Sequence, residues 1–254
     1  RKVYRQPVCL AESECKRMKD IGSIFPLTED EAYNTTGSSQ FFDGERYYFS
    51  LCREALYVIA QVEKSTKNTK ALIPAYTCDT VITPFLESGY TCDYYPVNKD
   101  LTLDVVGTKM LIDSSAYSVL VAHPYFGMDL NNEEVKLVRY AKSKGVKIII
   151  DLTQCIFSKK NYDFADYIVG SYRKWYQVPD GGFLICRKKI DIGELLDNKY
   201  FSTMQTDAMY LRGEYFRTSN ENLKRISIRL NKLAVESVDF NVTPHKMADI
   251  SREL

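Results

Sequence analysis

The sequence predicts an α/β protein with a mostly parallel central sheet and helices on both of its faces. The apolar runs are short, and each stops at a polar group: Ile148-Ile149-Ile150 at Asp151, and Ile168-Val169-Gly170 at Ser171, with Lys174 just beyond. Such runs read as buried parallel strands that carry side chains to the carboxyl edge of a sheet, where open α/β folds bind their ligands. Between strands the spacing turns helical, as at Val135, Leu137, Val138 and Ala141, and glycines punctuate the joins at Gly145 and Gly181-Gly182.

Residues 1–50 form a mixed amino-terminal segment, with a polar patch from Thr35 to Ser39 and an aromatic run at Tyr47-Tyr48-Phe49, and carry no motif. From Leu51 to Lys64 the apolar positions Leu51, Ala55, Leu56, Val58, Ile59 and Val62 predict a helix. Its first turn leaves amides free near Cys52, Arg53 and Glu54, a ready phosphate site to which Arg53 could add charge. Ala71 to Pro74 is a strand, followed by a turn through Tyr76 and Cys78 and a helix through Pro84 to Ser88. Thr91 to Val97 and Ser118 to Ala122 are further strands, the second ending at His123.

Asn131 to Gly145 begins with Glu133 and Glu134 and ends among basic residues, which agrees with a helix and its dipole. With the strand Val146 to Ile150 it completes a β-α-β unit ending on Asp151. Phe183 to Cys186 is a strand and Arg187-Lys188-Lys189 a solvated turn. The charged stretch Thr206 to Val238, with Ile226, Ile228, Leu230, Leu233 and Val235 at helical intervals, predicts one long helix or a dimer arm. The expected division is therefore 1–50, a binding domain over 51–205, and a helical segment over 206–254.

A chain of 254 residues, 45% of them hydrophobic, can bury one large core. A net charge of +1 gives no electrostatic case for a nucleic acid or an anionic membrane surface. No apolar window reaches a membrane span of roughly 18 residues. The seven cysteines are Cys9, Cys15, Cys52, Cys78, Cys92, Cys155 and Cys186; they are odd in number, scattered and without a C-x-x-C pair, so a reduced, cytoplasmic chain with no metal site is expected.

A lysine, an acid and a hydroxyl delivered to one sheet edge fit pyridoxal phosphate, whose aldehyde must meet an amine, whose pyridine nitrogen must stay protonated and whose phosphate must be held. Lys174 would form the Schiff base, its amine activated by partial desolvation. Asp151 would keep the pyridine nitrogen cationic, and Ser171 would hydrogen-bond the phosphate.

The segment from about Ala71 to Arg187 resembles the large domain of fold-type I pyridoxal-phosphate enzymes, and most of all the DegT-type sugar aminotransferases. The resemblance rests on Val119 to Gln154, with a strand, a His-x-x-x-Gly turn, a helix and Asp-x-x-Gln, and on Gly170 to Leu184, GSYRKWYQVPDGGFL. It implies Asp151 on the pyridine nitrogen, Gln154 near the ring hydroxyl, Ser171 on the phosphate and Lys174 bonded to the cofactor. The ring-stacking residue falls in the Tyr76–Cys78 turn, Cys78 being the aligned position and Tyr76 the aromatic that offers a flat face. The resemblance makes the turn at His123 largely structural.

Two departures stand out. Ser171 and Lys174 are spaced as in amino-acid aminotransferases, and Leu51-Cys52-Arg53-Glu54-Ala55 stands where the family has a small Ser-Gly turn. The resemblance further implies a homodimer with the site at its interface, a keto sugar carried on a nucleotide as acceptor, an amino acid such as glutamate as donor, and a small carboxyl-terminal domain that is largely missing here. A lyase or desulfurase using Cys52 or Cys78, and a non-catalytic cofactor-binding relative, are the alternatives.

Overall fold

The computed structural model describes residues 25–27, 43–64, 69–238 and 241–253. Cys9, Cys15 and the polar patch from Thr35 to Ser39 lie outside them. The strands are β1 (Glu45–Phe49), β2 (Lys70–Pro74), β3 (Thr91–Tyr95), β4 (Val119–Ala122), β5 (Lys147–Asp151), β6 (Tyr167–Ser171), β7 (Gly182–Cys186), β8 (Leu196–Asp197) and β9 (His245–Lys246). Among the described residues they form one sheet in the order β3-β2-β4-β5-β6-β7-β1-β9-β8. Strands β2 to β6 pair in parallel, while β7 runs antiparallel to both of its neighbours.

The apolar strands alternate between two cores, as a pleated sheet buried on both faces must. Leu72, Leu120, Ile148, Ile150 and Ile168 pack on one face with residues of α3 (Val105–Ser114) and α4 (Asn132–Ser143). Ala71, Ile73, Val121, Ile149 and Val169 pack on the other with α1 (Cys52–Val62) and α2 (Asp79–Glu87). The expected architecture, a mostly parallel sheet with helices on both faces, is the one observed.

Local chemistry sets the helix starts. The Asp104 carboxylate accepts from the amides of Val106 and Gly107 at 3.1 Å, which begins α3. Asn131 accepts from Glu133 and Glu134, and Glu134 reaches back to the Asn131 amide at 2.7 Å, a reciprocal capping box at α4.

Two expectations about organisation change. Strand β1 pairs with β7 from Glu45↔Cys186 to Phe49↔Gly182, so a division at residue 51 would cut the sheet. The stretch after Thr206 is not one helix but the end of α5 (Lys199–Thr218) and the whole of α6 (Glu221–Glu236). Ser219 turns left-handed at φ 57°, and the Asn220 side chain accepts from the Asn222 amide to start α6. The two helices are joined by Gln205 Nε2 donating to Asn231 Oδ1 at 3.0 Å and by the Ser227 hydroxyl donating to the Ala208 carbonyl at 2.7 Å. A short α7 (Asp249–Glu253) closes the described chain.

Gly182 explains how β7 meets the turn before α1. A Cβ there would stand 2.4 Å from the Leu51 carbonyl carbon and 2.5 Å from the Cys52 nitrogen, closer than packed atoms approach. Gly182→Ala is expected to lower the unfolding free energy by about 3 kcal/mol, the upper part of the range for overpacking. Urea denaturation followed by circular dichroism measures it, and a loss near zero would mean that this close approach is absent.

Candidate active site

Strands β2, β4, β5 and β6 all end at one edge of the sheet, and β1 ends there too because two antiparallel pairings restore its direction. Beyond that edge lies a cavity of about 640 Å³. Its wall includes Cys52 and Arg53 from the start of α1, Cys78 from the start of α2, Asp151 and Gln154 after β5, and Ser171 and Lys174 after β6. Seven of the eight site residues expected from the sequence thus meet in one place.

Tyr76 is the exception. The Ala75 amide bonds to the Tyr95 carbonyl at 2.9 Å, and the turn that follows carries Tyr76 outward, 55% exposed, while Cys78 faces the cavity. The Tyr76 ring rests on Tyr125 with centroids 5.7 Å apart, and its carbonyl accepts from the Tyr125 hydroxyl. The flat side chains on the cavity wall are His123, Phe126 and Trp175 instead.

Asp151 is 2% exposed. Its Oδ1 accepts from the Thr153 amide at 2.8 Å. Its Oδ2 stands 3.5 Å from His123 Nδ1, too far for a good hydrogen bond, so this oxygen keeps an acceptor position. His123 Nε2 lies 2.9 Å from the Thr77 hydroxyl. Burial holds the imidazole below its ordinary pKa, with Asp151 opposing. A residue read from sequence as part of a structural turn therefore touches the central acid; its place at a strand end, one residue after β4, was the available signal.

Gln154 is anchored by its own oxygen, which accepts from the Phe126 amide at 3.2 Å and leaves the side-chain NH₂ to donate elsewhere. Trp175 Nε1 donates to the Thr153 carbonyl at 2.7 Å and fixes the loop after β5. Ser171 is 4% exposed, and among the described residues its hydroxyl has no hydrogen-bond partner. Lys174 ends a 3₁₀ turn, Tyr172–Lys174, and its pKa is lowered by burial and then by the adjacent Arg173 cation. Arg173, absent from the sequence reading, is partly buried in the cavity wall and has its own pKa lowered by burial and by Arg53. Cys52 is pushed up by burial and by Asp151, so its thiol stays protonated.

These features fit pyridoxal phosphate. An unpartnered buried hydroxyl at Ser171, amides at the start of α1, an acceptor on Asp151, a donor on Gln154 and a destabilised ammonium on Lys174 answer in turn the phosphate, the ring nitrogen, the ring hydroxyl and the aldehyde.

The start of α1 is braced from the far end of the chain. Glu54, 2% exposed, accepts from the Leu51 amide at 3.2 Å and the His245 amide at 3.1 Å, and its Oε1 lies 3.2 Å from His245 Nδ1. Asp180, just before the glycine pair, accepts from the Ala248 amide at 3.1 Å and the Ser251 hydroxyl at 2.5 Å.

No family model and no curated protein matches the sequence. Among solved structures, the chain resembles a SepCysS–SepCysE N-terminal domain complex at 15% identity and a TM-score of 0.51, over 59% of this chain and 44% of that one. It also resembles a histidinol-phosphate aminotransferase from Clostridium acetobutylicum, at 16% identity and TM-score 0.48 over 58% of this chain and 46% of that one. A sugar aminotransferase from Micromonospora echinospora gives 15% and 0.45, over 56% and 42%. The chain spans less than half the length of each. Its fold is that of the large domain of fold-type I pyridoxal-phosphate transferases.

The brace carries a pH signature. The carboxylate of Glu54 raises the His245 pKa, and burial raises that of Glu54. Both groups hold their protons more tightly folded than unfolded, so stability falls as pH rises. For His245 the contribution is complete below the ordinary histidine value of about 6.5 and is lost as pH passes through the raised folded value. Thermal midpoints are expected to drop across that window in the parent chain and to drop less in His245→Gln. Equal slopes in the two proteins would mean that this pair does not titrate as described.

Proposed function

We propose that the chain is the cofactor-binding part of a pyridoxal-phosphate-dependent aminotransferase that moves an amino group from an amino acid such as glutamate to a keto sugar carried on a nucleotide. The observation that carries the reading is that Asp151 and Lys174, from the ends of two adjacent strands, line one cavity with Ser171, Gln154 and the start of α1. The bound cofactor would supply an electron sink for the substrate's amine-bearing carbon.

The chain's own residues divide the remaining work. The Lys174 Nζ would hold the cofactor's carbonyl carbon and, as a free amine, would take and return the proton at the substrate carbon. Asp151 Oδ2 would keep a proton on the ring nitrogen, the Thr153 amide fixing the carboxylate through Oδ1 while His123 stands 3.5 Å from Oδ2. The Gln154 NH₂, left free by the bond its oxygen takes from the Phe126 amide, would donate to the ring hydroxyl. Ser171 and the first amides of α1 would bind the phosphate, while Trp175, Phe126 and Leu56 limit water on the cavity wall.

The sugar acceptor rests on the resemblance of Val119 to Gln154 and Gly170 to Leu184 to sugar aminotransferases. A homodimer closing the cavity fits two exposed apolar side chains, Phe126 on the cavity wall and Phe157 against the wall residue Trp175. The unpaired thiols of Cys52, Cys78, Cys92, Cys155 and Cys186 support a cytoplasmic setting.

A lyase or desulfurase is the second reading, favoured by two thiols in the cavity wall, Cys52 and Cys78. The protonated Cys52 is a poor nucleophile, so this reading would use Cys78, whose sulfur exchanges hydrogen bonds with Asp79 and Thr80. Sulfide or pyruvate released without a paired keto acid would decide for it.

Adding pyridoxal phosphate is expected to produce absorbance at the edge of the visible range, and borohydride reduction followed by peptide mass analysis should find the cofactor on Lys174. Lys174→Ala should lose both signals. Asp151→Asn should retain the cofactor but lose amino transfer by roughly a hundredfold or more, within the range expected of a group that controls a proton. Cofactor found on a lysine other than Lys174 would sink the assignment.

A further inference from the structure

The cavity has a charge imbalance that the roles above do not use. Its wall carries three basic side chains, Arg53, Arg173 and Lys174, and one carboxylate, Asp151. Asp151 faces His123 and the Thr153 amide rather than the arginines. Arg53 is directed by a bond from Nη1 to the Val238 carbonyl at 3.2 Å. Arg173 makes no ion pair among the described residues, and the nearest acid that acts on it, Asp180, is already engaged by Ala248 and Ser251. Burial first, and then the like charge of Arg53, lower the pKa of Arg173.

Arg53 in the first turn of an eleven-residue helix and Arg173 in the turn after β6 put two cations on one cavity wall, an unfavourable arrangement in the absence of an anion. The independent sign of a ligand is Ser171, 4% exposed, on the cavity wall and without a hydrogen-bond partner among the described residues. The turn into α1 presents Cys52 and Arg53, bulky residues where a small pair would let a phosphate lie close against the amides. A planar guanidinium on the same cavity wall, two residues beyond Ser171, would compensate for the lost closeness with a bidentate contact.

Resting on the pyridoxal-phosphate reading, we infer that Arg173 is a ligand-binding residue that closes a clamp with Ser171 and the first turn of α1 around the phosphate monoester of the cofactor. The ligand class follows from the donors: a guanidinium, a hydroxyl and helix amides suit a tetrahedral dianion. Arg173 also acts on Lys174, whose ammonium it disfavours, so one side chain both holds the phosphate and keeps the neighbouring amine reactive.

Three measurements test the clamp on the full chain. Equilibrium titrations with pyridoxal phosphate and with unphosphorylated pyridoxal are compared in the parent chain, Arg173→Met and Arg173→Lys. Arg173→Met is expected to weaken pyridoxal phosphate roughly ten- to a hundredfold, the worth of charged hydrogen bonds, while changing pyridoxal little. Arg173→Lys should recover part of the loss, which also guards against a folding defect in the methionine variant. Inorganic phosphate alone should raise the thermal midpoint of the parent chain and not that of Arg173→Met.

Equal weakening of both vitamers, or unchanged affinity for pyridoxal phosphate, would overturn the clamp while leaving the cofactor reading intact. If the parent chain binds neither vitamer, the cofactor reading falls and takes the clamp's ligand with it. Stabilisation by inorganic phosphate that survives in Arg173→Met would overturn the role of Arg173 whatever the cofactor.

Discussion

The parallel register of β4, β5 and β6 is the constraint on which the site depends. Ala122 pairs with Ile150 and Asp151 with Val169, so the three strands stop at different heights along one direction. Ser171 lies two residues past the level of Asp151, about 6–7 Å further along at the rise of a parallel strand, and one strand spacing of about 4.8 Å to the side. That offset separates an acid from a hydroxyl by a distance suited to the two ends of a small aromatic phosphate. No loop adjustment is needed to create it, because sheet hydrogen bonding already does. The antiparallel β7 and the return of β1 then bring the start of α1 to the same edge, and Gly182 lets that start approach closely.

The strands and their polar ends could be read from the sequence because period and burial coincide there. Three-residue apolar runs that each end on one carboxylate or hydroxyl have few other uses, so Asp151, Ser171 and Lys174 are legible in the sequence. What escaped was direction and partnership. Tyr76 and Cys78 sit in the same turn, and the bond from the Ala75 amide to Tyr95 on the neighbouring strand decides which of them faces inward. No local pattern encodes that contact. His123 was visible as a strand end, but its proximity to Asp151 depends on strand order. Arg173 carries no signal of its own in the sequence, since basic residues side by side usually stand in solvent, and only the fold puts it on the cavity wall. The break in the carboxyl-terminal helix was legible in principle, since Ser219-Asn220-Glu221 is a helix-start pattern, yet the apolar spacing runs through it.

The distribution of charge around the cavity separates into two layers. Inside, cations outnumber acids, which suits a site for anionic ligands. Just behind the wall, two buried acids, Glu54 and Asp180, hold the elements that carry the anion-binding groups. Glu54 caps the start of α1, and Asp180 precedes the glycine pair at the start of β7. Left without partners, such carboxylates would be expensive to bury and would compete with a phosphate for the nearby arginines. Each instead accepts hydrogen bonds from the segment between His245 and Ser251, and Glu54 accepts one more from the Leu51 amide.

That arrangement makes the last part of the described chain a structural component of the cavity rather than an appendage to it. The Ser50 amide bonds to the His245 carbonyl at 2.9 Å and the Gly181 amide to the Ser50 carbonyl at 2.8 Å, so the segment, the β1–α1 turn and the glycine pair form one connected backbone network. A change that loosens His245 would free Glu54 as well as a short strand. The freed carboxylate would be left buried at the helix start with its main partners gone, a costly state that loosens the first turn of α1, where Arg53 and the phosphate-facing amides lie. The anion site and the fold's carboxyl-terminal closure therefore share one set of hydrogen bonds, and the electrostatic balance of the first follows from the integrity of the second.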